Sequence, residues 1–286
     1  MSQKIRVAHI FLTLNIGGME KVGVDLINNI DTDQFENYVI CLQEQGPLAK
    51  NLNKEVRDLY CLDAKNGVGL KGLLEIVRYL KRHKIKVVHT NNPAPHLWGS
   101  LAAKICGIRS LVHSVHGRGF IRYKKGAMIE KFASKLSKSI VCVSEDAALQ
   151  RKLIGIPSAK LSVVSNGVDT DVFYDEQPTN KLLEELALKE KMVIGSVARF
   201  SVDKDQETLI RAFKVVADGE PDLVLLLVGD GETKQRCQDL ASDLDIASKV
   251  IFTGARSDVL DLLRLMDIYV LATHTEGLSI FYKRCC

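Results

Sequence analysis

Short β-branched runs alternate along most of this chain with longer stretches in which apolar residues recur every three or four positions. The runs fall at Ile5–Leu12, Tyr38–Leu42, Val56–Leu62, Val87–His89, Ser110–Ser114 and Ile140–Val143. Between them, Gly72–His83 shows the helical period, with apolar residues at Leu73, Leu74, Ile76, Val77 and Leu80. Continuously apolar strands alternating with helices predict a parallel sheet covered on both faces. The alternation pauses across the polar stretch Tyr174–Asn180, which contains Pro178. It resumes at Met192–Ala198, Leu223–Val228, Lys249–Phe252 and Ile268–Leu271. The pattern predicts two α/β units, residues 1–173 and 174–286, with the break near 170–185. The second unit offers four strand candidates, so a doubly wound sheet of order 3-2-1-4-5-6 is expected to be incomplete there. Its fourth strand would form an apolar edge.

Composition changes this picture little. A chain of 286 residues, 46% hydrophobic and 26% charged, fits two ordinary globular units better than one. Lys4 and Arg6 ahead of Val7–Ile16 imitate a signal peptide, but His9, Thr13 and Asn15 interrupt the run and no small-residue cleavage site follows. A buried strand is expected instead, and no stretch is apolar for long enough to span a bilayer. The cysteines, at 41, 61, 106, 142, 237, 285 and 286, show neither a CxxC pair nor metal-ligand spacing. Reduced thiols in a cytoplasmic protein are expected. Charge adds something. Residues 1–173 hold 25 Lys/Arg against 15 Asp/Glu, whereas 174–286 hold 14 against 20, so the halves are +10 and −6 and are expected to meet different partners.

Three segments carry candidate chemistry. Gly17-Gly18-Met19-Glu20-Lys21 follows the first strand and opens a helix. Glycines there let backbone N–H groups approach a phosphate, and a helix start favours an anion by ~0.3–1 kcal/mol. A tight turn without a ligand has the same pattern. Arg199 and Lys204 follow the first strand of the second unit, at the carboxyl end where ligands bind in open α/β sheets. Cations in that place stabilise the charge on a departing diphosphate. Surface charges paired with Asp203 or Asp205 are the alternative. Thr275-Glu276-Gly277-Leu278-Ser279 follows the fourth strand. A carboxylate there accepts hydrogen bonds from ribose hydroxyls, and Gly277 leaves N–H groups open to phosphate or sugar. An acidic first helical turn reads the same way. Val228–Gly231 is most simply a strand-exit turn.

In chain order the motifs are the Gly-Gly loop, His116–Gly119, Asn166–Asp169, Arg199 with Lys204, Val228–Gly231, Phe252–Gly254 and Glu276-Gly277. This series resembles the GT-B glycosyltransferases of family 4 and covers the chain up to Ile280. The resemblance implies an α/β fold of two Rossmann-like doubly wound parallel-sheet domains, an acceptor-side domain followed by a nucleotide-sugar-binding domain. It implies transfer of a hexose from a nucleoside-diphosphate sugar to a glycan or lipid-linked acceptor in cell-surface polysaccharide synthesis, with retention and without a metal cofactor. By the same resemblance Arg199 and Lys204 hold the donor diphosphate. Glu276 contacts the ribose or donor sugar, Gly277, Leu278 and Ser279 line that sugar, and Gly17 and Gly18 close over it. His116 stands near donor sugar and acceptor as a catalytic residue beside Glu276.

The chain departs from the family pattern at its end. Arg284 stands where a second glutamate is usual, and Phe281–Cys286 matches nothing in the family. Codons for those six residues, read one base earlier, can spell Leu-Leu-Gln-Ala-Met-Leu, so a change of frame soon after Ile280 is expected. An inactive truncated remnant is the alternative function. Asp-x-Asp pairs at 31/33, 169/171, 203/205 and 243/245 lie away from apolar strand ends, and no metal site is expected. Nor is nucleic-acid binding, for which no motif exists. The basic stretch Arg118–Lys125 leads into a helix with Lys131, Lys135 and Lys138 on one face and Met128, Ile129, Phe132 and Leu136 opposite. It reads either as a solvated flank over the core or as peripheral attachment to anionic lipid.

Overall fold

The computed structural model describes residues 4–117, 124–167, 180–256 and 258–274. The chain divides into two compact units, Met1–Gly167 and Val168–Cys286. The expected break overlaps residues 168–179, outside the described residues. Outside them too are Glu276, Gly277, Leu278, Ser279 and the expected change of frame.

The first unit runs β1 (Ile5–Thr13), α1 (Gly18–Asn29), β2 (Phe35–Glu44), β3 (Asp58–Cys61), α2 (Gly69–Arg82), β4 (Val87–Asn91), α3 (Pro93–Ile105), β5 (Ser110–Val115), α4 (Lys124–Leu136), β6 (Ser139–Cys142), α5 (Glu145–Leu153) and β7 (Leu161–Val163). Its strands form one parallel sheet of order β3-β2-β1-β4-β5-β6-β7. β1 lies inside the sheet, and Val7, Ala8, Ile10 and Phe11 are buried on its two faces. That explains its unbroken apolar run. α2 lays Leu73, Ile76, Val77 and Leu80 on the core, each contributing ~1.5–3 kcal/mol by burial. Strand order reverses between β1 and β4, which makes their carboxyl ends the crevice of the sheet.

The six expected strands of this unit all occur. β7 is an addition: Leu161–Val163 pairs with β6 at the edge of the sheet, Ser162 and Val163 are exposed, and three residues make a run too short to stand out. α4 overturns an expectation. Its buried residues are Gly126, Glu130, Ala133 and Ser134, whereas Met128 is 73% and Phe132 49% exposed. Small residues let α4 pack closely against α3, so the large apolar side chains expected over the core stand among the lysines.

The second unit runs α6 (Asn180–Glu185), β8 (Met192–Val197), α7 (Gln206–Ala217), β9 (Leu223–Val228), α8 (Lys234–Asp243), β10 (Val250–Gly254), α9 (Val259–Arg264) and β11 (Ile268–Tyr269). All four expected strands occur, in a parallel sheet of order β10-β9-β8-β11. β9 is buried along its whole length. β11 is shorter than the run Ile268–Leu271, and Ile268 is half exposed beside β8. Among the described residues no helix is long and apolar enough to cross a membrane.

Candidate active site

In the first unit the carboxyl ends of β1, β4 and β5 bring together the Gly17-Gly18 turn, Asn91, Asn92 and His116. Gly17 caps α1 with extended backbone and no side-chain bond. The Glu20 side chain folds back over the turn, its carboxylate oxygen 2.3 Å from where a Cβ on Gly17 would stand. This helix start therefore already holds an anion of its own. Asn92 caps α3 at φ 74°, ψ 155°, a left-handed conformation rare outside glycine, and its Oδ1 accepts from the Leu12 amide at 3.3 Å. That bond ties the exit of β4 to β1.

His116 follows β5 directly. Its Nε2–H donates to Asn91 Oδ1 at 3.2 Å, and burial lowers its pKa to about 4, so the ring is neutral near pH 7. The next carbonyl, that of Gly117, accepts from Arg151 Nη1 at 2.7 Å. Arg151 is itself paired with Glu130 at 2.8 Å, and the two side chains are 4% and 2% exposed. A buried ion pair joining α4 to α5 thus pins the backbone beside His116.

Behind these residues lies a run of neutral histidines. His9 Nε2–H donates to Asn37 Oδ1 at 3.1 Å, His89 Nδ1–H donates to His9 Nδ1 at 3.0 Å, and Ser114 Oγ–H donates to His89 Nε2 at 2.8 Å. This is the one donor order that satisfies all four side chains with neutral rings. His113 stacks on His96 with centroids 3.7 Å apart and donates to the Thr90 carbonyl at 3.0 Å. Burial lowers the pKa of His9 to about 4 and that of His96 to about 3, and it carries His89 and His113 well below the usual value.

In the second unit Arg199 and Lys204 lie between β8 and α7 at the carboxyl end of the sheet. Arg199 is exposed, while its carbonyl accepts from buried Gln206 at 3.0 Å. Lys204 ends a 3-10 turn, Val202–Lys204, and Asp205 follows in a left-handed conformation and caps α7 through Thr208 N. The alternative reading made Arg199 and Lys204 surface charges paired with Asp203 or Asp205. Asp205 is instead bound to Thr208 N and to His274 at 3.2 Å, and Arg199 forms no ion pair among the described residues. The chain beyond β11 meets the same turn, where Thr273 Oγ1 and His274 N donate to the Asp203 carbonyl at 3.0 and 2.9 Å.

Val228–Gly231 does more than leave a strand. A Cβ on Gly229 would lie 2.0 Å from the Ala198 carbonyl oxygen, and one on Gly231 would lie 2.1 Å from that of Phe200. Both glycines have positive φ, at 140° and 152°. Only glycine lets β9's exit press on the backbone either side of Arg199. Asn91, Gln206 and the Glu130–Arg151 pair were not singled out from sequence. Glu130 and Arg151 stand 21 positions apart in charged helices, and nothing local marks them as partners.

Among the described residues no group of His, Cys, Asp or Glu could hold a metal ion. Residues 16–172 match the model of Glycosyltransferase Family 4, and residues 179–281 match Glycosyl transferases group 1. The chain belongs to the family 4 glycosyltransferases. The chain is 28% identical over 293 residues to the UDP-Gal:alpha-D-GlcNAc-diphosphoundecaprenol alpha-1,3-galactosyltransferase of Escherichia coli, an alignment spanning 97% of this glycosyltransferase and 76% of that protein. To the capsular polysaccharide biosynthesis glycosyltransferase CapM of Staphylococcus aureus it is 29% identical, across 73% of this chain and 58% of that one. The solved structure of Anabaena HepE in complex with UDP and glucose superposes with a TM-score of 0.85 at 18% identity, over 98% of this chain and 78% of that one. WaaG, a glycosyltransferase involved in lipopolysaccharide biosynthesis, gives a TM-score of 0.76 at 16% identity, over 98% and 78%. The fold of this glycosyltransferase is GT-B.

Proposed function

We propose that this glycosyltransferase transfers a hexose, with retention, from a nucleoside-diphosphate sugar to a lipid-linked or glycan acceptor in cell-surface polysaccharide synthesis. The observation that carries the reading is Arg199, an exposed cation on backbone held rigid by Gln206, Gly229 and Gly231 at the carboxyl end of β8. A cation carried on backbone already set at the strand end is placed to stabilise a departing diphosphate. Arg199 and Lys204 hold the diphosphate, Glu276 contacts the ribose or sugar, and Gly277, Leu278 and Ser279 line the sugar. Gly17 and Gly18 supply backbone N–H groups. His116, neutral near pH 7, hydrogen-bonds a sugar hydroxyl, and no metal ion takes part.

The E. coli relative's name makes a UDP-hexose and a diphosphoundecaprenol-linked GlcNAc the first pair to assay. With labelled UDP-hexose, transfer to that lipid is expected. Arg199→Ala should lower kcat/KM by about 100-fold, the scale of losing one preorganised charge-stabilising group, with an unchanged melting temperature. Equal activity of wild type and Arg199→Ala would overturn the role of Arg199. Absence of transfer from every nucleotide sugar would overturn the function.

We also propose peripheral contact with an anionic membrane through α4, at its cytoplasmic face. Met128 and Phe132 are exposed on that helix beside Lys124, Lys125, Lys131 and Lys135, all exposed. Apolar side chains framed by lysines suit an anionic bilayer surface, where each basic residue contributes about 1 kcal/mol. The chain should sediment with phosphatidylglycerol vesicles at low salt and not with phosphatidylcholine vesicles. Phe132→Ser together with Lys131→Ser should weaken binding at least about fivefold, the factor that 1 kcal/mol represents. Equal sedimentation with both vesicle types would refute the contact.

A further inference from the structure

We propose that Asn91 is the positioning residue of this enzyme, holding the His116 ring with its proton on Nε2 and its Nδ1 lone pair free. The inference rests on the reading of His116 as a substrate-contacting residue. Asn91 is the last residue of β4 and is 1% exposed, and its Oδ1 takes the His116 Nε2 proton at 3.2 Å. Its neighbours fix its place. Asn91 pairs in register with Ser114 on β5, and Asn92 is tied to Leu12 on β1. His116 is fixed from its other side, since Gly117 is held by Arg151 and the Glu130–Arg151 pair.

Among the described residues, two buried atoms of this pair have no hydrogen-bond partner: Asn91 Nδ2 and His116 Nδ1. Such vacancies are uncommon, because each buried polar group left unpaired costs ~1–3 kcal/mol. With the proton on Nε2, His116 Nδ1 is an acceptor, while Asn91 Nδ2 is a donor. With Nε2 occupied by Asn91 Oδ1, Nδ1 is the ring atom left to accept the proton of a sugar hydroxyl. The opposite tautomer presents a second N–H at Nδ1 and sets Nε2 to compete for a donor that Asn91 Oδ1 cannot provide. Asn91 therefore decides whether the ring receives a hydroxyl proton or repels it.

Among the described residues, His89 interacts with His116 and is itself buried and neutral, and Arg151, which holds the Gly117 carbonyl, is already paired with Glu130. Neither reverses the tautomer that Asn91 selects near pH 7.

The test is nitrogen-15 NMR of the histidine rings in the full chain, with His116 assigned by His116→Gln. Wild type is expected to show a pyrrole-type Nε2 and a pyridine-type Nδ1. Asn91→Ala should collapse that difference towards a mixture of tautomers and lower kcat about 10- to 100-fold, within the scale of one hydrogen-bonding catalytic group. Asn91→Asp keeps an acceptor at Oδ1, so it should retain the Nε2–H form while raising the pH at which His116 titrates. A protonated Nδ1 in the wild type overturns the proposal, and so does an Asn91→Ala spectrum identical to wild type. If Asn91→Ala fails to fold, the wild-type spectrum alone decides. A His116→Gln enzyme of full activity would instead sink the substrate-contact reading, leaving Asn91's hold on the ring intact.

Discussion

Acidification from pH 7 to about pH 5 is expected to unfold the first unit. His9, His89, His96, His113 and His116 are neutral in the native state, with pKa values lowered by burial, to about 4, about 3 and about 4 for His9, His96 and His116. In the unfolded chain each titrates near its ordinary value, about 6.5. Below that pH the unfolded chain takes up protons that the folded chain refuses. Stability is therefore complete above about pH 6.5 and falls as pH drops towards the native pKa values. His9, His96 and His116 each cost about 1.4 kcal/mol at pH 5.5 and about 2 kcal/mol at pH 5. These three reach the lower end of an ordinary domain's stability, ~5–15 kcal/mol, and His89 and His113 act in the same direction.

Trp98 is the chain's single tryptophan and lies on α3, so its fluorescence reports this unit alone. Urea titrations followed at Trp98 should show a free energy of unfolding that drops with pH with a slope of several protons below pH 6. A slope under one proton would mean that these rings carry charge in the folded state.

Removing the Glu130 carboxylate is expected to cost the first unit about 3–5 kcal/mol, since it strands a guanidinium in a site that excludes water. Arg151 is 4% exposed and its remaining hydrogen bond goes to the Gly117 carbonyl. Glu130→Met should therefore lower the urea midpoint sharply and, through Gly117, disturb His116 and the transfer rate. Glu130→Met combined with Arg151→Met removes both charges and should recover part of that loss, because two apolar side chains of similar size bury without stranding a charge. Recovery should stay incomplete, since the Gly117 carbonyl still lacks its donor. If the double variant is less stable than either single one, the pair is not a mutually compensating buried unit.

Much of this arrangement was legible from the chain. The alternation of apolar runs with helical periods located ten of the eleven strands among the described residues, and the parallel character of both sheets. Those properties depend on neighbours a few residues away, and burial on both faces leaves an unbroken apolar run such as Leu223–Val228. The position of Arg199 and Lys204 just past β8 was legible because a strand end followed by cations is also a local signal. Other features depend on contacts between distant positions. The exposed β7 has only three residues, and α4 turned its small residues inward because α3 approaches closely, a matter of fit between two helices. Asn91 with His116, Glu130 with Arg151, and His9 with His89 are 25, 21 and 80 positions apart. Periodicity carries no information about which polar side chains will face each other across strands. The sequence by itself determined the sheets, the strand ends and the cations placed there. Only the tertiary structure decided which buried polar groups are paired, which are left without a partner and which histidines stay neutral, because desolvation and hydrogen-bond geometry arise when the strands come together.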